Sequence, residues 1–160
     1  MIRLALGAAL AASSHAAAAS LPLHGVLVPG KSLAGVALGA PAATVQARWG
    51  SRYRVCGRCS EPTWYFMSAQ ASGVGVSFDG GRVSAVFTLG SPSGWRTRDG
   101  LRLGDDLARV RAHYGALSWR PCVGYQALSR RQPGVVTSIY ATGDSVYGFA
   151  LTRPREPVCR

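Results

Sequence analysis

The chain has little acid to set against its base. Eighteen Lys and Arg face seven Asp and Glu, a formal net charge of +11, and Lys31 is the only lysine. So few carboxylates leave little for general acid–base work. Asp79 and Asp144 sit in turn-like sequences, where Asp is favoured by local hydrogen bonding. Asp105-Asp106 stands where a helix begins and reads as a cap rather than an acid/base pair. Histidine is scarce too: His15, His24 and His113 lie far apart, with no ligand spacing between them. There is no G-x-S-x-G, no phosphate loop and no H-E-x-x-H. Cys122 and Cys159 make no second close pair to join Cys56 and Cys59, which argues against zinc. No catalytic residue, metal or cofactor is expected.

Long apolar runs are also missing. A bilayer span takes about 20 apolar residues. Leu4 to Ala12 is the longest such stretch and falls short. It follows the positive Met1-Ile2-Arg3 and precedes small residues ending in Ala17-Ala18-Ala19. That order is a secretory signal peptide, residues 1–19. Export places the mature chain outside the cell or in the cell envelope, with no transmembrane segment. Four cysteines in an exported chain argue for disulfides. Three pairings are open, and pairing within halves (Cys56–Cys59 and Cys122–Cys159) is the simplest.

The arginine excess favours acidic partners such as phosphate, carboxylate or anionic polymers. The basic residues are scattered rather than gathered on a groove-binding helix, so nucleic acid is not an expected partner.

What is present is a repetition. Gly35-Val36-Ala37-Leu38-Gly39 runs on to Val45, Ala47, Trp49 and Gly50. Gly100-Leu101-Arg102-Leu103-Gly104 runs on to Val110, Ala112, Tyr114 and Gly115. The offset is 65 throughout, and a gap-free pattern of this length reads as an internal repeat. Each copy predicts a helix, at about 41–49 and 105–114. Pro41 suits the first turn, and Asp105 or Asp106 can cap the second helix. Val45 and Trp49, and Val110 and Tyr114, make matching apolar stripes, and Gly50 and Gly115 end them.

Strands follow each helix. Thr63 to Met67 is β-branched and aromatic. Val74, Val76 and Phe78 alternate up to the turn Asp79-Gly80-Gly81-Arg82, and the chain returns through Leu89. In the second copy Val136 to Tyr140 and Ser145 to Thr152 flank a Gly-containing turn. Arg52 to Cys56 and Leu117 to Cys122 begin each set. The expectation is an α+β fold of two tandem repeats, each a helix followed by a three- or four-stranded antiparallel sheet packed on it. The divisions are a disordered lead at 20–31, repeat one at 32–90, a linker at 91–94, repeat two at 95–153, and a tail at 154–160 held by Cys159.

A short segment closed by glycines, a helix with an inward Val and a terminal Gly, then antiparallel strands, resembles the SmpA/OmlA (BamE-like) unit. Two units in tandem resemble the β-lactamase inhibitory protein family. The resemblance implies helices on one face of a sheet, the other face left open for binding, and no turnover. It departs at Ala40 and Asp105, where the family commonly has Met after the motif glycine, and it lacks the lipidated Cys of the membrane-anchored members.

On this reading the protein binds or scaffolds through an exposed sheet face and inhibits a secreted enzyme by analogy. Trp and Arg dominate binding hot spots, so the candidates are Trp64, Tyr65, Trp95, Trp119, Arg96, Arg98 and Arg120. A charge-driven binder of anionic envelope polymers is the alternative. A thiol–disulfide oxidoreductase at Cys56/Cys59 is a third reading, weakened by flanks that read as strand rather than helix.

Overall fold

The computed structural model describes residues 19–67 and 73–160. The expected signal peptide therefore lies outside the described residues, apart from Ala19. The observed class is α+β, with two short helices and mostly antiparallel sheet. Among the described residues no helix is long and apolar enough to cross a membrane.

The two helices are α1 (Ala42–Trp49) and α2 (Leu107–Tyr114). Their ends keep the offset of 65 seen in the sequence motif. Val45 and Trp49 of α1, and Leu107 and Val110 of α2, are buried. Arg109, Arg111 and His113 point to solvent. Asp106 caps α2, its carboxylate accepting from the Ala108 amide at 2.6 Å. Asp105 serves differently, accepting from the Arg102 amide at 2.7 Å and pairing with Arg109 at 2.8 Å. Gly50 ends α1 at φ 81°, and a Cβ there would stand 2.0 Å from the Ala19 carbonyl oxygen, so only glycine fits.

Eight strands form one antiparallel sheet rather than two. Its order is β3 (Arg54–Val55), β4 (Thr63–Tyr65), β5 (Gly73–Asp79), β6 (Arg82–Leu89), β11 (Ser145–Thr152), β10 (Val135–Thr142), β9 (Gln126–Gln132) and β8 (Ser118–Pro121). The halves join where β6 pairs with β11. Ala85 faces Thr152, Phe87 faces Ala150 and Leu89 faces Gly148. Exchanging residue 85 with 148, 87 with 150 and 89 with 152 maps this ladder onto itself. The bulges at Ser77/Phe78 and Tyr140/Ala141 follow the same shift. Joining two four-stranded halves edge to edge satisfies two rows of backbone groups that separate sheets would leave open.

Strand β9 is the element the sequence hid. Gln126-Ala-Leu-Ser-Arg-Arg-Gln is polar, and only Ala127, Leu128 and Ser129 are buried. The Pro133-Gly134 pair, with Gly134 at φ 77°, makes the turn into β10.

The lead at 20–31 is ordered, contrary to expectation. It holds β1 (Val26–Val28), which pairs with β2 (Ser32–Leu33) and runs parallel to β7 (Arg96–Thr97). The physical cause is apolar closure. Leu27 is fully buried, and Gly25 lets the chain pass against the Trp95 indole, where a Cβ would be 2.5 Å away. Between the helices and the large sheet lie Val36, Val45, Trp49, Val76, Trp95, Val110 and Phe149. Each fully buried side chain of this size stabilises the fold by about 1.5–3 kcal/mol.

Candidate binding face

Strand alternation decides where each candidate points. In β4, Trp64 turns to the helix side. It stacks on Tyr53, with centroids 3.9 Å apart, and leans on Phe78. Tyr65 takes the opposite, helix-free side, edge-on to Phe87 at 6.0 Å. In β8, Trp119 faces Leu128 and so lies on the helix side of the edge strand, while Arg120 faces Ala127 on the helix-free side. Trp119 is 62% exposed and donates its indole N–H to Gln126. Arg96 and Arg98 are exposed on either side of the buried Thr97.

Trp95 is not a surface residue. It is 0% exposed, 5.7 Å from the Trp49 ring, and donates its indole N–H to the Pro22 carbonyl at 2.9 Å. The small sheet closes over it, so its size supplies core volume. The seven candidates therefore do not form one patch. They fall at the β4 end, at β7, and at the β8 edge.

The helix-free face is not bare either. It carries a second apolar cluster of Phe87, Leu89, Ala127, Val136, Tyr140 and Ala150, with Tyr65, Tyr125 and Tyr147 around it and Val158 packed on top. Residues 153–160 run across this face. The Arg153 amide donates to the Ser84 carbonyl at 2.9 Å, extending the β6–β11 ladder by one bond. Arg131 donates to the Pro154 carbonyl at 3.2 Å. Tyr140 donates to the Val158 carbonyl at 2.6 Å. Tyr125 donates to the Arg160 carbonyl and accepts from its amide, both at 2.5 Å. The Arg160 guanidinium lies 5.7 Å from the Phe87 ring centre.

Two disulfides border this face. Cys56–Cys59 closes a loop between β3 and β4, with Cα atoms 5.6 Å apart. Cys122–Cys159 ties the tail to the β8–β9 loop, with Cα atoms 5.5 Å apart. No helix begins at Cys56, and the strands β3 and β4 flank its loop. Phe87, Tyr125, Tyr140 and the tail were not among the sequence candidates. Only the expected Cys122–Cys159 bond hinted that the tail would lie on the sheet.

Under the tail sits a cavity of about 190 Å³, bounded in part by Glu61, Thr63, Tyr65, Ser77, Glu156 and Arg160. The Glu156 and Arg160 side chains are 7% and 9% exposed and stand 3.6 Å apart. Ser84 donates to the Glu61 carboxylate at 3.1 Å. Burial raises the Glu156 carboxyl above the ordinary glutamate value, and the neighbouring Glu61 raises it further by hydrogen bonding and charge. Burial likewise raises the Tyr140 phenol, which keeps it a hydrogen-bond donor. Among the described residues, no three His, Cys, Asp or Glu gather to hold a metal.

No protein-family model matches the chain, and no curated protein matches it. Among solved structures, the fold is similar to that of an extracellular protein containing an SCP domain from Bacillus anthracis str. Ames. The TM-score is 0.55 at 10% sequence identity, over 73% of this chain and 44% of that one. The chain thus spans under half the length of that neighbour, and the likeness is one of fold.

Proposed function

We propose that this chain is an exported, disulfide-stabilised binding protein that acts by contact and without turnover. Its two halves are tandem copies of one helix-then-sheet unit of the BamE-like kind. The helix offset and the self-mapping β6–β11 ladder support that duplication. The extracellular description of the structural neighbour and the two disulfides are compatible with export.

The binding surface of the intact protein is the β8 edge of the sheet, and the observation that carries it is the exposure of Trp119. An indole 62% open to solvent on one side of the edge strand, with Arg120 exposed on the other side and Val123 98% exposed in the loop that follows, is a hot-spot composition. The test is capture of partners from the producing organism's medium and envelope fraction by the mature protein, with Trp119→Ala beside it. Loss of about 2 kcal/mol of affinity with the fold intact supports the reading. Equal capture by both refutes it.

Charge-driven binding of anionic envelope polymers is the second reading, and one observation favours it. Arg52, Arg54, Arg58, Arg96, Arg98, Arg120 and Arg155 are exposed. The three ion pairs formed by other arginines leave this group without a carboxylate partner among the described residues. Binding of this kind weakens steeply with ionic strength, whereas aromatic contact does not. The same capture at low and high salt separates them.

A further inference from the structure

Residues 153–160 are held in a way that differs from core packing. Arg131 and Tyr140 of the sheet and Tyr125 just before β9 read the tail through its main chain. Contacts of that kind give affinity for an extended chain whatever its sequence. Two side chains add selectivity. Val158 drops into the apolar cluster, and Arg160 lies against Phe87, where its charge meets the negative ring face. Pro154, Arg155 and Pro157, which precede them, stay exposed.

The non-covalent holding is thin for eight residues. Val158 is the only buried apolar side chain of the tail; the Glu156 and Arg160 side chains are nearly as buried, but as a charged pair 3.6 Å apart whose desolvation offsets much of its attraction. Ordering the backbone of each residue costs conformational entropy that one aliphatic side chain and a few hydrogen bonds do not offset. The covalent link at Cys159 supplies what is missing, by keeping the tail at high local concentration. Cys122 and Cys159 are each half-buried rather than sealed in the core.

We propose that the helix-free face is a groove for an extended peptide bearing an aliphatic residue and, two positions later, an arginine; that residues 153–160 are its resident occupant; and that the Cys122–Cys159 disulfide latches that occupant in place. A dithiol reductant opens the latch. Its two sulfurs close into a disulfide while Cys122 and Cys159 take up two electrons and two protons as thiols. The freed tail leaves Phe87, Tyr125 and Tyr140 to a competing segment from another chain. This site adjoins the β8 edge at Cys122 but uses other side chains, and its test reads Arg160 rather than Trp119.

The experiment uses the full mature chain. Cys56→Ser/Cys59→Ser removes the other disulfide, and hydrogen exchange follows the amide of Arg160 before and after dithiothreitol. The expected result is that on reduction the Arg160 amide becomes at least tenfold less protected than the β10 amides, whose own protection falls only with the loop-closure stability the disulfide supplied. Unchanged protection at Arg160 overturns the latch, and equal protection at Arg160 and β10 after reduction overturns it too by making the tail part of one cooperative unit.

A second variant tests the groove. Cys122→Ser/Cys159→Ser/Val158→Asp keeps its own tail from redocking. The probe is a synthetic peptide of residues 153–160 with Ser in place of Cys159. Saturable binding to this variant, at least tenfold tighter than to the oxidised wild-type chain, is expected. The same peptide with Glu in place of Arg160 should bind at least tenfold more weakly. No saturable binding to the folded variant overturns the groove, and so does equal binding of both peptides.

Discussion

The two disulfides offer a quantitative contrast. Cys122 and Cys159 are 37 residues apart in sequence, Cys56 and Cys59 only 3. A cross-link stabilises by removing loop-closure entropy from the unfolded chain, which grows with the logarithm of the loop. That relation gives about 4 kcal/mol for the long loop and about 2 kcal/mol for the short one. Cys122→Ser/Cys159→Ser should therefore cost about twice as much as Cys56→Ser/Cys59→Ser. For a domain of this size, 4 kcal/mol lowers Tm by about 10–15 °C. Guanidinium denaturation of the three mature proteins, followed by far-ultraviolet circular dichroism, measures both losses directly. The reasoning fails if the long-loop variant loses no more than the short-loop one. It fails equally if the long-loop variant loses under about 1 kcal/mol, since loop entropy alone predicts several times that.

Other residues give independent checks. Trp95→Ala should destabilise the fold by about 3–5 kcal/mol, because it empties a fully buried site; Trp119→Ala should move stability by about 0.5 kcal/mol or less, and thermal melts of the two separate core from surface. Val45→Ala and Val110→Ala, at matching helix positions and both fully buried, should each cost about 2 kcal/mol; a large disparity in urea midpoints would show that the two helices pack on unequal cores. Glu156 has its carboxyl raised by burial and by Glu61, so the folded state holds a proton that the unfolded chain releases. Stability from this group is full below the ordinary glutamate value and lost as pH rises through the raised one. Glu156→Gln should flatten that decline, seen as urea midpoints recorded from about pH 4 to pH 7; superimposable profiles would refute it.

The sequence by itself determined the elements with a strong local code. The helices were legible because Val45, Trp49, Val110 and Tyr114 repeat at helical spacing and glycines close both ends. The hairpins were legible because their turns carry Gly and Asp between alternating apolar residues. The pairing of Cys122 with Cys159 remained one of three until the fold brought them to 5.5 Å.

Tertiary structure decided everything that depends on which side of a layer a residue meets. Trp95 and Trp119 are the same residue type in similarly polar company, yet one is sealed beneath the small sheet and the other stands on an edge strand. No local signal separates them, because burial is set by chain segments 70 or more residues away, as the Trp95 bond to Pro22 shows. Strand β9 and the lead share that dependence: their composition is weak, and their order comes from partners, β10 for one and Trp95 with β7 for the other. The helix-free face is the clearest instance. Phe87 and Tyr140 sit on different strands, and the Pro-containing tail that crosses them has no intrinsic structure to read. Only the assembled sheet, with two tyrosine hydroxyls and a cysteine in reach, gives that tail a place to bind.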